Sequence, residues 1–114
     1  MSAQPVEQGF TYVCELDDVA PGTAAQAEVD GVIVAMVRDS DGGMHAVNDR
    51  CTHANVSLSE GEVDGCTIEC WLHGSRFDLR TGDPSGPPAT VPVAVYPVRL
   101  DGTHVSVSVT PQEN

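Results

Sequence analysis

Two short pairs of residues carry side chains that bind soft metals. Cys51 and His53 form the first pair, and Cys70 and His73 form the second after sixteen intervening residues. Two thiolates and two imidazoles can hold a tetrahedral zinc ion, or a 2Fe-2S cluster in which two histidines replace two cysteines on one iron. A zinc site of this composition usually pairs like with like, whereas each pair here is mixed and very short. Composition alone leaves both alternatives open.

The residues around the two pairs resemble the two-box signature of Rieske proteins. The first box, Cys51-x-His53, follows Asn48-Asp49-Arg50, and the second reads Cys70-x-x-His73-Gly74-Ser75-Arg76-Phe77-Asp78 with Gly86-Pro87-Pro88 after it. The resemblance to small Rieske ferredoxins covers roughly residues 10–110. It implies an all-β fold of three stacked antiparallel sheets, with a loop-built cluster-binding subdomain at 49–89 that includes a third, proline-containing loop.

The same resemblance implies one Rieske-type 2Fe-2S cluster. Cys51 and Cys70 would hold the inner iron, while His53 and His73 would bind the outer iron and present their far ring edges to solvent. With two neutral imidazoles the oxidised site is uncharged, whereas four thiolates would leave two negative charges. This accounts for Rieske potentials of about −150 to +300 mV, against about −400 mV for plant-type clusters.

Two departures from the respiratory Rieske pattern bear on the potential. That pattern adds one cysteine to each loop, and this chain has Ala54-Asn55-Val56 and Leu72 in the corresponding places, so the disulfide cannot form. It also has a tyrosine where this chain has Phe77, which removes one hydroxyl donor to a ligand sulfur. Ser75 is retained as a donor to a bridging sulfide. Such donors stabilise the reduced cluster and so raise its potential. Because the tyrosine hydroxyl is absent, we predict a potential toward the low end of the Rieske range.

Short runs rich in Val and Thr, separated by Gly, Asp and Pro, predict the β-strands that must position these residues. Asp30-Gly31, Asp41-Gly42-Gly43 and Asp101-Gly102 are typical of tight hairpins, so antiparallel sheets are expected. The predicted strands are Thr11–Glu15, Ala25–Val29, Val32–Arg38, Met44–Asn48, Thr67–Cys70, Ser75–Asp78, Val95–Leu100 and His104–Val109.

Length and charge narrow the class of protein. The 114 residues predict a single domain over 1–114, with polar tails at 1–9 and 110–114. The 17 acidic residues against 5 arginines give a net charge of −12, which disfavours nucleic acid and anionic membranes and favours a basic partner surface. No signal sequence or membrane span is evident, so we expect a cytoplasmic protein and read the cysteines as metal ligands rather than disulfides.

The other chemistry-bearing side chains have less specific interpretations. We interpret Cys14 and Cys66 as small buried hydrophobes and His45 and His104 as ordinary surface histidines. Trp71, between two ligands of the second box, is either a hydrophobic shield or an exposed docking residue, and docking is favoured. The arginines that follow the second box, Arg76 and Arg80, are expected to form structural ion pairs with Asp78 or Asp83.

The resemblance implies an electron carrier rather than an enzyme, because 114 residues leave no room for a separate catalytic domain with its own iron. Its partners would be an NAD(P)H-dependent flavoprotein ferredoxin reductase and a terminal ring-hydroxylating dioxygenase, and a monomer is expected. The alternatives are the small Rieske subunit of a nitrite reductase, an accessory protein of iron-sulfur assembly, or a zinc-binding structural module.

Overall fold

The computed structural model of the chain describes residues 10–50, 56–72, 74–85 and 91–109, so the predicted tails at 1–9 and 110–114 lie outside it. Within these ranges none of the helices is long and apolar enough to cross a membrane. The helices in the described part of the chain are two 3-10 turns, at Leu16–Asp18 and Leu58–Glu60. The strands are β1 (Phe10–Glu15), β2 (Thr23–Val29), β3 (Val32–Arg38), β4 (Met44–Asn48), β5 (Glu62–Asp64), β6 (Thr67–Glu69), β7 (Arg76–Asp78), β8 (Val95–Tyr96), β9 (Val98–Asp101) and β10 (His104–Ser108).

These strands form three antiparallel sheets, which confirms the predicted fold class. The first sheet has the order β1-β10-β9, the second β2-β3-β4-β8 and the third β5-β6-β7. The third sheet carries the second cysteine-histidine box, since Cys70 directly follows β6. Each predicted hairpin is present: Asp30 and Gly31 both have positive φ (50° and 87°) and join β2 to β3 in a two-residue turn.

The second sheet lies at the centre, and the middle of its strand β3 is buried on both faces. Along β3, Val34 and Met36 pack with Val105 and Val107 of the first sheet. The alternate residues Ala35 and Val37 pack toward Ile68 and Phe77 of the third sheet. Side chains alternate between the two faces of a strand, so an almost uninterrupted apolar strand is needed to supply two cores. The central sheet therefore holds the third sheet, and with it the second box, on a rigid base.

Two local features differ from those predicted. The predicted strand Val95–Leu100 is divided at Pro97 into β8 and β9, which belong to different sheets. Proline has no N–H to donate to a ladder, so the chain changes sheet there. No strand is predicted between Asn48 and Thr67, but Glu62–Asp64 pairs with Thr67–Glu69 as a strand. Its carboxylates are exposed, so a strand of mostly charged residues is tolerated at this edge.

A polar network closes the open end of the first sheet. Glu15 at the end of β1 accepts hydrogen bonds from Tyr12 (2.7 Å) and Thr103 (2.7 Å), and its Oε2 lies 2.6 Å from Nδ1 of His104. These contacts lower the pKa of Glu15 to about 2, with the Tyr12 hydroxyl as the largest cause. The ionised carboxylate in turn raises the pKa of Tyr12 to about 12. His104 is exposed, as predicted, and helps to pin β1 to β10.

We expect Glu15 to make stability dependent on acid pH. Its folded pKa lies below the ordinary value of 4.5, so its contribution is complete above pH 4.5 and is lost as pH falls toward about 2. Measuring the free energy of unfolding from pH 7 to pH 2.5 in the parent and in Glu15→Gln isolates this contribution. The difference between the two proteins should shrink on acidification. A difference that stays constant across that range would contradict the assignment.

Candidate metal centre

The second box is a tight loop whose base is buried. The backbone N–H of Cys70 donates to the carbonyl of Ser75 (2.7 Å), and the N–H of Gly74 donates back to the carbonyl of Cys70 (2.9 Å). Gly74 has a φ of 80°, which suits glycine and lets the chain reverse. Cys70 and Ser75 are 1% and 2% exposed, so both residues are kept out of water at the base of the loop.

The tip of the same loop faces solvent. Trp71 is 51% exposed and Leu72 is 42% exposed, although both are large apolar side chains. Burying such residues is favourable, so an exposed pair of them often marks a contact surface. The exposure of Trp71 fits the predicted docking role and argues against a purely internal shield.

The residues on both sides of the first box are also held together. Arg50 and Ser57 face each other as an isolated antiparallel bridge, and the N–H of Leu58 donates to the carbonyl of Asp49 (2.6 Å). The carboxylate of Asp49 is 3% exposed and accepts hydrogen bonds from Gln26 Nε2 (2.7 Å) and the N–H of Ser59 (2.8 Å). This buried aspartate therefore ties the start of the first box to β2 and to the 3-10 turn that follows the box.

One hydrophobic cluster connects the segments that flank all three predicted loops. It contains Leu58 after the first box, Cys70 and Phe77 in the second, and Val93 after the proline-containing loop. Phe77 is fully buried, which agrees with its place in a core and with the missing hydroxyl donor. A buried cysteine that shares one core with the flanks of the first box suits a cluster that needs thiolate ligands and restricted water.

The other predicted ligands, Cys51, His53 and His73, lie outside the described residues, as does the proline segment 86–90. Their roles therefore rest on the sequence.

The arginines after the second box are paired, in part with other residues than expected. Arg80 pairs with Asp78 (3.6 Å), as predicted. Arg76 instead contacts Glu69 (3.1 Å) and Asp64 (3.5 Å). The pairing of β6 with β7 sets Glu69 directly opposite Arg76, so the cross-strand neighbour determines the partner.

A cluster that the sequence analysis missed lies where the second and third sheets meet. His45 is not an ordinary surface histidine, since its side chain is only 19% exposed and its Nε2 lies 2.8 Å from Oδ2 of Asp39. Sγ of Cys66 lies 3.7 Å from the same nitrogen. Cys14 and Cys66 are half-buried rather than fully buried, and desolvation raises the pKa of both thiols. No local spacing connects residues 39, 45 and 66, so only the tertiary fold brings them together.

Three antiparallel sheets with a buried cysteine at the base of an exposed loop on the smallest sheet define a class of small β-proteins built around a metal cluster. The chain belongs to the Rieske [2Fe-2S] domain family, whose model matches residues 9–97. Its cofactor is one Rieske-type 2Fe-2S cluster, so the zinc-module alternative is set aside.

Curated relatives and solved structures agree with this membership. The biphenyl dioxygenase ferredoxin subunit of Pseudomonas sp. (strain KKS102) is 44% identical over 99 residues, which cover 86% of this chain and 90% of the relative. The ferredoxin of carbazole 1,9a-dioxygenase from Nocardioides aromaticivorans IC177 is 38% identical with a TM-score of 0.83, and the match covers 92% of this chain and all of that one. A ferredoxin chain in a complex of reduced oxygenase and oxidized ferredoxin in carbazole 1,9a-dioxygenase is 35% identical, with a TM-score of 0.85 over 95% of this chain and all of that one.

The fully buried Phe77 offers a direct test of the predicted low potential. A hydroxyl added by Phe77→Tyr, if it reaches a ligand sulfur, stabilises the reduced cluster. A hydrogen bond stronger by about 1.4 kcal/mol in the reduced state raises a one-electron potential by about 60 mV. We expect protein-film voltammetry to place the parent toward the low end of the Rieske range and the variant higher. A parent potential well above zero, or a lower potential in the variant, would contradict this account.

Proposed function

We propose that the chain is the ferredoxin component of an aromatic-ring-hydroxylating dioxygenase system. It accepts single electrons from an NAD(P)H-dependent flavoprotein reductase and delivers them to the terminal oxygenase, and it transforms no substrate itself. Support comes from the Pseudomonas relative, which is named as a ferredoxin subunit of biphenyl dioxygenase. Further support comes from the similar ferredoxin of carbazole 1,9a-dioxygenase, which was solved in a complex with reduced oxygenase.

The proposed ligands divide by residue type between the two irons. Cys51 and Cys70 hold the inner iron, and His53 and His73 bind the outer iron. When bound, the cluster supplies one reversible one-electron couple, and the net charge of the cluster with its ligands stays close to zero. The chain's own contribution is to keep Cys70 out of water and to place Trp71 and Leu72 at the surface, and the Ser75 hydroxyl would donate to a sulfide of the cluster.

The observation that carries this proposal is the contrast between the two ends of the second box. Cys70 and Ser75 at the base are buried, whereas Trp71 and Leu72 at the tip are exposed. An electron carrier needs a cluster ligand that is protected from water and a surface point near the cluster at which a partner can dock. Trp71 and Leu72 are sequence neighbours of His73, so a partner that covers these two side chains approaches a proposed outer-iron ligand and shortens the electron path.

Charge favours a rapid, reversible encounter with the partners. The net charge is −12, and Arg38, Arg76 and Arg80 are each paired with carboxylates of the chain itself. A surface of this sign attracts a basic docking face and repels nucleic acid and anionic lipid. An electron carrier must also dissociate after each transfer, so the interface is small. We infer a monomer that works in the cytoplasm.

Electron transfer from the reduced protein to oxidised oxygenase tests the proposal in a stopped-flow instrument. Trp71→Ala should lower the second-order rate constant about tenfold or more, since a central interface tryptophan is typically worth about 2 kcal/mol. The parent rate constant should also fall as salt screens the acidic surface. Leu100→Ala is the matched control, because Leu100 is 50% exposed but belongs to β9 of the first sheet, on the other side of the central sheet.

Equal rates for Trp71→Ala and Leu100→Ala would place docking elsewhere on the molecule. Failure of the reduced parent to transfer electrons to any ring-hydroxylating oxygenase that accepts the related ferredoxins would contradict the proposed function itself. The chain is also similar in structure to a putative small subunit of an NADH-dependent nitrite reductase from Mycobacterium tuberculosis. That subunit is 27% identical, with a TM-score of 0.75 over 86% of this chain and 92% of its own. A nitrite reductase is therefore the informative second acceptor.

A further inference from the structure

A second group of metal-binding side chains lies at the junction between the central sheet and the third sheet. Asp39 follows β3, His45 is in β4, and Cys66 precedes β6. One ligand atom from each residue lies within 4.8 Å of the other two. The surrounding backbone is tied together as well, since the N–H of Ser40 donates to the carbonyl of Gly65 (3.1 Å). The three donors thus come from three segments that the fold holds in place.

The carboxylate of Asp39 is already oriented toward this point. Its Oδ1 accepts hydrogen bonds from the N–H groups of Asp41 (2.9 Å) and Gly43 (2.8 Å), which leaves Oδ2 directed at His45. A Cβ at position 43 would lie 2.9 Å from Oδ2, so glycine there leaves room for the carboxylate. The His45 hydrogen bond lowers the pKa of Asp39, so the carboxylate is ionised at neutral pH.

The arrangement differs from a cysteine-histidine-aspartate relay. In such a relay the acid and the nucleophile contact opposite ring nitrogens of the histidine. Here both contacts are made by Nε2 of His45, at 2.8 Å to Asp39 Oδ2 and 3.7 Å to Cys66 Sγ. Three donors that converge on one point suit a single bound cation. Desolvation raises the pKa of the Cys66 thiol and the positive charge of Arg80 opposes this rise, but Arg80 itself is paired with Asp78.

We propose that Asp39, His45 and Cys66 form a zinc-binding site separate from the iron-sulfur centre. One sulfur, one imidazole nitrogen and one carboxylate oxygen are ordinary Zn²⁺ ligands, and three protein ligands leave a fourth position for water. Zinc bond lengths of about 2.0 to 2.3 Å in a tetrahedron place donors about 3.3 to 3.6 Å apart. The observed separations reach this with side-chain shifts of about 1 Å. The thiol proton of Cys66 is released to solvent on binding, and the ring proton of His45 then lies on Nδ1.

Zinc at this position would join the central sheet to the sheet that carries the second box. Asp39 and His45 belong to the base, whereas Cys66 leads into β6 and so toward Cys70. A ligand that binds only the folded protein stabilises it, so added zinc should raise the midpoint of thermal unfolding. It should do so without changing the cluster spectrum, because none of the three residues is a proposed cluster ligand.

The test uses the protein with its cluster intact. Zinc chloride is titrated calorimetrically into the parent, Cys66→Ser and Cys14→Ser, and iron, zinc and the visible spectrum are measured after dialysis. We expect the parent to retain one zinc with its iron unchanged, and Cys14→Ser to match it. Cys66→Ser should bind about a hundredfold more weakly or worse, since even a group that only supports a ligand is worth about ten- to a hundredfold in affinity.

X-ray absorption at the zinc edge of the loaded parent gives a result that does not depend on any variant. The proposed site supplies one sulfur at about 2.3 Å, whereas zinc that had displaced iron from the proposed cluster ligands would have two. A two-sulfur spectrum, loss of iron in step with zinc uptake, equal affinities for the parent and Cys66→Ser, or no zinc retained by the parent would each overturn the proposal. None of these outcomes bears on electron transfer, which is tested separately.

Discussion

Replacing His53 or His73 with alanine is expected to abolish the Rieske spectrum, because each removes one of the two imidazoles proposed to hold the outer iron. With one imidazole left, the outer iron lacks a protein ligand, so the cluster should be lost or assembled in low yield with an altered spectrum. Cluster binding stabilises only the folded state, so the midpoint of thermal unfolding should fall as well. Iron analysis, the visible spectrum and calorimetry on the purified variants measure these effects.

His104→Ala is the matched control for the two ligand variants. His104 is the same residue type, but its side chain is 63% exposed and contacts Glu15 in the first sheet. Its replacement should leave iron content and spectrum unchanged. A normal spectrum in His53→Ala or His73→Ala, or cluster loss in His104→Ala, would overturn the ligand assignment.

Gly82→Ala is expected to be strongly destabilising, although Gly82 is not a proposed ligand. Gly82 has a φ of 82°, and a Cβ there would lie 2.0 Å from the carbonyl oxygen of Val93. Its N–H donates to the carbonyl of Asp78, and its own carbonyl accepts from Val93, so the backbone cannot move without breaking both contacts. Positive φ costs about 1 to 2 kcal/mol for an alanine, and overpacking adds about 1 to 3 kcal/mol. The combined loss of about 2 to 5 kcal/mol is a large share of ordinary stability.

Gly22→Ala separates the two causes. Gly22 has a φ of 80°, nearly that of Gly82, but a Cβ there would meet nothing within 4 Å. Urea unfolding of both variants should therefore give a loss of about 1 to 2 kcal/mol for Gly22→Ala and a clearly larger loss for Gly82→Ala. Equal losses would mean that the close approach to Val93 contributes nothing.

The hairpins and the central strands could be predicted because their signals are local. Asp30-Gly31 tolerates positive φ at both positions, and the apolar run of β3 needs no distant partner to be recognised. The division at Pro97 was missed because the flanking residues on both sides favour strands. The strand Glu62–Asp64 was missed because its charge suggested a loop, and only pairing with β6 makes it a strand.

The candidate site likewise has parts that a local sequence signal predicts and parts that it does not. Each metal-binding box is a short contiguous segment, and the resemblance of both boxes and their flanks to the Rieske signature indicated the cluster, which family membership confirms. The partners of Arg76 depend on strand register, and the cluster of Asp39, His45 and Cys66 depends on how two sheets pack. Both are properties of the tertiary structure, for which a single sequence carries no local signal.

The most direct test of the central claim is pulsed electron paramagnetic resonance of the dithionite-reduced protein, with iron counted on the same sample. A Rieske cluster predicts two irons per chain, a rhombic signal and couplings to two imidazole nitrogens. A reduced protein with no signal and no iron, or a 2Fe-2S signal without nitrogen couplings, would contradict mixed cysteine and histidine ligation and the electron-carrier function built on it.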